Sequence, residues 1–129
     1  FWAKPTLNPS APPPHSTGAA IDLTLAYMNG DPLDLGGEID FIGAKSRPDF
    51  YEKDSLRMPH SKYQVFHNRR SLLLSVMGKA GFVQHPNEWW PFSYGDQLWC
   101  WISSQNDAIY GEAFEVSKES TFSLPSLVT

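Results

Sequence analysis

The chain has 129 residues, with 10 Lys and Arg against 14 Asp and Glu, a formal charge of −4, 41% hydrophobic and 19% charged residues. That length suits one domain with a real core and hardly two, and the composition is that of a globular protein. The acidic balance without a basic run argues against nucleic acid, and the lack of a long apolar run argues against a membrane partner. The one cysteine, Cys100, excludes an internal disulfide. Set between Trp99 and Trp101, it reads as a packed thiol, and the cysteine usage fits a reducing, cytoplasmic compartment.

Residues 1–14 carry Pro5, Pro9 and the run Pro12, Pro13 and Pro14, so the chain is expected to run extended along the surface as it reaches His15. It opens at Phe1 within this stretch, which reads as the C-terminal part of something longer. Residues 19–27 alternate Ile21, Leu23 and Leu25 with Asp22, Thr24 and Ala26 and predict a strand. Gly18 lets the chain turn back between His15 and that strand. Asn29, Gly30, Asp31 and Pro32 form a turn signal, residues 33–37 a short second strand, and residues 38–41 a loop.

Residues 43–61 are polar, with Pro48 and Pro59, and predict a long irregular loop. Over residues 62–80 the period becomes helical: Val65, Leu72, Leu73, Val76 and Met77 recur, Asn68, Arg69 and Arg70 fill the polar face, and Gly81 is the stop. Strands are then predicted at residues 82–83, 88–94, 97–103 and 108–110, with Gly95 and Asp96 as a hairpin turn. The order implies an α+β domain, a mainly antiparallel sheet with one main helix packed on it. The tail from Glu115 is rich in Ser and Thr and reads as loosely held.

The densest chemistry lies at Asn87-Glu88-Trp89-Trp90-Pro91-Phe92-Ser93-Tyr94. A carboxylate among aromatics is costly to ionise without partners, and such surroundings are how a general base is tuned. With His15 and Asp22 upstream, Glu88 completes a set suited to zinc peptidase chemistry: imidazole and carboxylate ligands with a carboxylate base. A Glu facing solvent from a buried aromatic strand is the structural alternative. Trp89, Trp90 and Trp99 read as core or pocket wall. His85 reads as a turn residue beside Pro86, and His60 and His67 lie in the long loop and on the helix.

The segment His15 to Asp22, a His and an Asp separated by six residues, resembles the first zinc motif of the D-alanyl-D-alanine dipeptidases of the vancomycin-resistance type. Asn87-Glu88-Trp89-Trp90, followed by Phe92-Ser93-Tyr94-Gly95-Asp96, is similar to the family's second motif, Glu-x-Trp-His. The resemblance runs from the proline run to about Trp101. It implies the zinc D-Ala-D-Ala peptidase (hedgehog/peptidase-like) fold and hydrolysis of D-alanyl-D-alanine, a small dipeptide of cell-wall precursor metabolism. The chain, 1–129, would be one domain, the catalytic C-terminal part. His15 and Asp22 would ligate zinc, Glu88 would be the general base, and Asp40 would lie near the substrate ammonium.

Two departures stand out. Pro91 occupies the place of the family's third ligand, a His, and proline offers zinc no donor. A catalytic zinc normally takes three protein ligands, so Pro91 is expected to impair the site; His85, six residues earlier, is the nearest substitute, although the turn role beside Pro86 is the stronger expectation. It also removes a backbone N–H, which is awkward in a central strand. The family's transition-state Arg lies upstream of the proline run and has no counterpart here. The competing expectation is therefore a non-catalytic relative that binds a cell-wall peptide, or an inactive fragment.

Overall fold

The structure, a computed structural model, describes residues 12–113. Most of the predicted proline-rich approach and the whole tail from Glu115 lie outside these residues. Three short strands, β1 (Ala20–Asp22), β2 (Val83–Gln84) and β3 (Pro91–Ser93), form an antiparallel sheet in the order β1-β3-β2. Three α-helices accompany it: α1 (Glu52–Arg57), α2 (Lys62–Lys79) and α3 (Gln97–Ile102). The α+β class and the antiparallel sheet are as expected. The main helix is α2, as expected, while two six-residue helices, α1 and α3, stand where a loop and a strand were predicted.

Each difference has a local cause. Gln97–Ile102 carries Trp99, Cys100, Trp101 and Ile102, a strand-like composition. However, Asp96 takes the N-cap, and its Oδ1 accepts from the Trp99 backbone N–H at 2.8 Å. A helix start thus replaces the predicted hairpin turn. In α1, Glu52 and Asp54 in the first turn and Arg57 in the last complement the helix dipole. The predicted strand over 19–27 shrinks to Ala20–Asp22 plus an isolated bridge between Ala26 and Pro32. Residues 33–37 and 108–110 form no strand.

Helix α2 ends as predicted. Gly81 takes the left-handed conformation at φ 91°, the Gly81 N–H donates to Gly78 and the Phe82 N–H to Met77. This Schellman closure satisfies the last carbonyls. The helix surface differs from the expected one: Val65, Leu72 and Val76 are exposed, while Arg70 is 3% exposed and Leu73 is 1% exposed. Leu73 joins Leu35, Trp89, Trp90 and Phe92 in the core, flanked by Leu23, Leu25, Leu33, Ile39, Met77 and Phe82.

Arg70 is buried because three loop carbonyls need it. Its Nε donates to Leu35 O at 2.8 Å, Nη1 to Arg47 O at 2.8 Å and Nη2 to Lys45 O at 2.9 Å. The guanidinium lies 4.9 Å from the Tyr51 ring centroid and 5.4 Å from that of Trp89. Burial lowers its pKa to about 10, with Tyr51 and Asp34 pulling the other way. Arg70→Ala strips three backbone acceptors of their donor and is expected to cost about 3–5 kcal/mol. Urea unfolding followed by tryptophan fluorescence checks this. Arg70→Lys should recover only part of the loss, because an ammonium cannot reproduce the planar fork.

Candidate functional site

His15 sits in a 3₁₀ helix, Pro14–Thr17, whose turn is closed by side chains. Ser16 Oγ donates to Pro13 O at 2.7 Å, Thr17 Oγ1 donates to Pro14 O at 2.6 Å, and the Ala19 N–H donates back to Thr17 Oγ1 at 3.0 Å. Gly18, at φ 71°, then reverses the chain into β1. The result brings His15 Nε2 to 3.2 Å from Asp22 Oδ1.

The two lie in a cleft of about 620 Å³ whose lining also includes Asp40, His85, Asn87, Glu88, Trp90 and Pro91. All four side chains expected at the site, His15, Asp22, Asp40 and Glu88, therefore meet at one cavity. Asp40 holds a left-handed backbone, φ 66°, which is strained for a residue with a side chain. Burial raises the Asp22 pKa, with help from the charge of Asp40, while His15 and His85 lower it. The raised value means that folded protein holds the Asp22 proton more tightly than the unfolded chain does. Asp22 therefore favours the fold below its unfolded pKa and loses that contribution as pH rises through its folded pKa.

The strand register makes the consequence of Pro91 concrete. Asp22 pairs directly with Pro91. The Leu23 N–H donates to Trp90 O and the Tyr94 N–H to Ala19 O, so the Asp22–Pro91 pair is of the non-hydrogen-bonded kind, in which facing side chains are closest. A side chain at position 91 would stand about 4.5–5.5 Å, Cβ to Cβ, from that of Asp22 on the cleft face. On the other side, the His85 N–H donates to Pro91 O at 2.9 Å. The reciprocal bond to the His85 carbonyl needs an N–H that proline lacks. β3 is the central strand, and Pro91 is accommodated as its first residue.

His15 and Asp22 suit two positions of a zinc site. Among the described residues, no three His, Cys, Asp or Glu side chains are grouped so as to hold a metal ion. The donor set as it stands therefore does not fit a catalytic zinc, which normally takes three protein ligands.

His85 is the turn residue that the sequence predicts, since the Asn87 N–H donates to its Nδ1 at 3.2 Å, yet it also lines the cleft, which the sequence does not show. The signal was the hairpin itself, because Val83 opposite Ser93 and Gln84 opposite Phe92 bring His85 opposite Pro91. His60 and His67 are not among the cleft residues. Trp89 and Trp90 are buried in the core, and Cys100 is packed, its Sγ donating to Gln105 O at 3.0 Å.

With this geometry in place, the comparisons with known proteins are informative. The sequence model of the D-ala-D-ala dipeptidase family, peptidase family M15, matches residues 1–114. The chain belongs to that family. It is 50% identical over 108 residues to a D-alanyl-D-alanine dipeptidase of Synechocystis sp., a match covering 81% of this chain and 43% of that protein. It is 36% identical over 98 residues to a D-alanyl-D-alanine dipeptidase of Escherichia coli, covering 69% of this chain and 46% of that one. The chain thus spans less than half the length of these relatives. No solved structure matches it significantly.

Pro91→His would add an imidazole beside Asp22 and restore the N–H facing the His85 carbonyl. Zinc affinity, measured by competition with a chromophoric chelator, is expected to rise by about 10- to 100-fold or more. An unchanged affinity would mean that His15, Asp22 and position 91 do not converge on one ion.

Proposed function

We propose that the chain, 1–129, is a single-domain C-terminal catalytic part of a D-alanyl-D-alanine dipeptidase, and that its cleft takes D-Ala-D-Ala or a close analogue. One observation carries the reading: His15, Asp22, Asp40 and Glu88, from distant parts of the chain, line one cavity in a member of this family. In this reading Asp40 pairs with the substrate ammonium, and Glu88 faces the scissile peptide. Its carboxylate takes a proton from the attacking water as oxygen bonds to the carbonyl carbon. It returns that proton to the departing nitrogen as the C–N bond breaks, releasing two D-Ala molecules. His15 and Asp22 would supply two of the three protein ligands that a catalytic zinc normally takes, and Pro91 leaves the third place without a donor. Hydrolysis is impaired accordingly.

Pro91 also favours a second reading, a non-catalytic relative that binds the peptide and releases it unchanged. Release of D-Ala from D-Ala-D-Ala, assayed with added zinc, separates the two. The natural chain should turn over slowly, Pro91→His faster, and Glu88→Gln in the Pro91→His background slower again by about 10²- to 10⁴-fold, the usual worth of a general base. If Pro91→His binds zinc but cleaves nothing, the catalytic reading of this chain fails and the binding reading replaces it.

A further inference from the structure

The charged side chains that line the cleft are predominantly acidic. Asp22, Asp40 and Glu88 bring carboxylates, His15 is engaged with Asp22 at 3.2 Å, and the lining contains no Lys or Arg among the described residues. His85 is the lining imidazole that stands outside that ion pair.

Its position follows from the ladder. Val83 pairs with Ser93 and Gln84 with Phe92, and the bond from the His85 N–H to Pro91 O extends the series by one. Pro91 is in turn opposite Asp22. Directly opposed residues in an antiparallel sheet share a face. Asp22 in β1, Pro91 in β3 and His85, the residue after β2, therefore form one row on the cleft side, while Phe92, next along β3, is in the core. The middle of the row is a proline ring without a polar atom, so nothing at that position intercepts a ligand spanning its two ends.

The His85 ring is also set chemically. Its Nδ1 accepts from the Asn87 N–H, so Nδ1 presents its lone pair there and the ring proton sits on Nε2. In that tautomer Nε2 is a donor and offers no lone pair to a metal. His85 is thus suited to an anionic oxygen and not to completing a zinc site. Two strand spacings separate the Cα atoms of Asp22 and His85 by roughly 9–10 Å. A dipeptide spans about 7 Å, which side chains reaching in from both ends can bracket.

We propose that His85 holds the terminal carboxylate of the bound dipeptide, whose ammonium is received by the carboxylates of the cleft. This rests on the reading of the cleft as a dipeptide site. The test is calorimetric titration of the metal-free chain with D-Ala-D-Ala and with D-alanyl-D-alaninamide, which lacks the negative charge. The natural chain should prefer the acid by about tenfold or more, the worth of a charge-assisted hydrogen bond. His85→Ala should remove that preference by weakening the acid more than the amide, and His85→Gln, which keeps a donor, should restore part of it. His85→Leu retains bulk and should abolish the preference in the same way, so it serves as the test should the alanine variant lose its fold. A preference that survives both His85→Ala and His85→Leu overturns the proposal, as does an equal loss for both ligands. Failure of the natural chain to bind either ligand overturns the dipeptide reading instead, and this proposal with it.

Discussion

The arrangement of the cleft depends on a cation that never reaches it. Arg70 ties helix α2 to three backbone carbonyls in the preceding loops and lies against the Tyr51 and Trp89 rings. The Trp89 N–H donates to Ser46 O at 2.9 Å, one residue from each of two Arg70 acceptors, Lys45 and Arg47. Trp89 is therefore held from two sides, and its neighbours in sequence, Glu88 and Trp90, are delivered to the cleft. A chain with such short strands has little sheet to fix its loops, and a buried fork donor fixes them by hydrogen bonding. Gly36 belongs to the same clamp: its carbonyl accepts from the Tyr51 hydroxyl, and a Cβ there would collide with the Tyr51 and Phe66 rings.

The sheet contributes geometry more than stability. Its three strands are two or three residues long, yet their register places the ends of one transverse row, Asp22 and His85, on the cleft face. The alternation that points Pro91 and Ser93 at the cleft points Phe92 into the core. A slip of one residue would exchange the two sets, and burial of Phe92 opposes such a slip. The hydrophobic core thereby sets the orientation of the polar row.

Much of this was legible in the chain. His15 and Asp22 could be paired across Gly18 because a turn there requires a left-handed residue, and Glu88 could be singled out as a carboxylate among aromatics. Helix α2 and its Gly81 stop followed from period and capping. What could not be read was decided by tertiary contacts. Arg70 looks like a solvent-facing charge because its carbonyl partners lie 23 to 35 residues away. Gln97–Ile102 has a strand composition that the Asp96 cap overrides. His85 borders the cleft only once the hairpin register is known.

Pro91 acts on backbone and side chain together. It removes a potential ligand beside Asp22 and a ladder N–H facing the His85 carbonyl, while the ends of the row are left in place. On the proposed reading, those losses fall unequally on binding and on chemistry. A metal ligand matters most where charge develops on the carbonyl oxygen, in the transition state, whereas contacts to the ammonium and carboxylate are made equally in the ground state. Losing the first kind of contact lowers turnover, and keeping the second preserves affinity. A site degraded at position 91 alone is thus expected to pass through a stage in which it still selects the dipeptide by its two charged ends but cuts it poorly. The catalytic and binding-only readings then differ in whether position 91 offers a third donor beside His15 and Asp22.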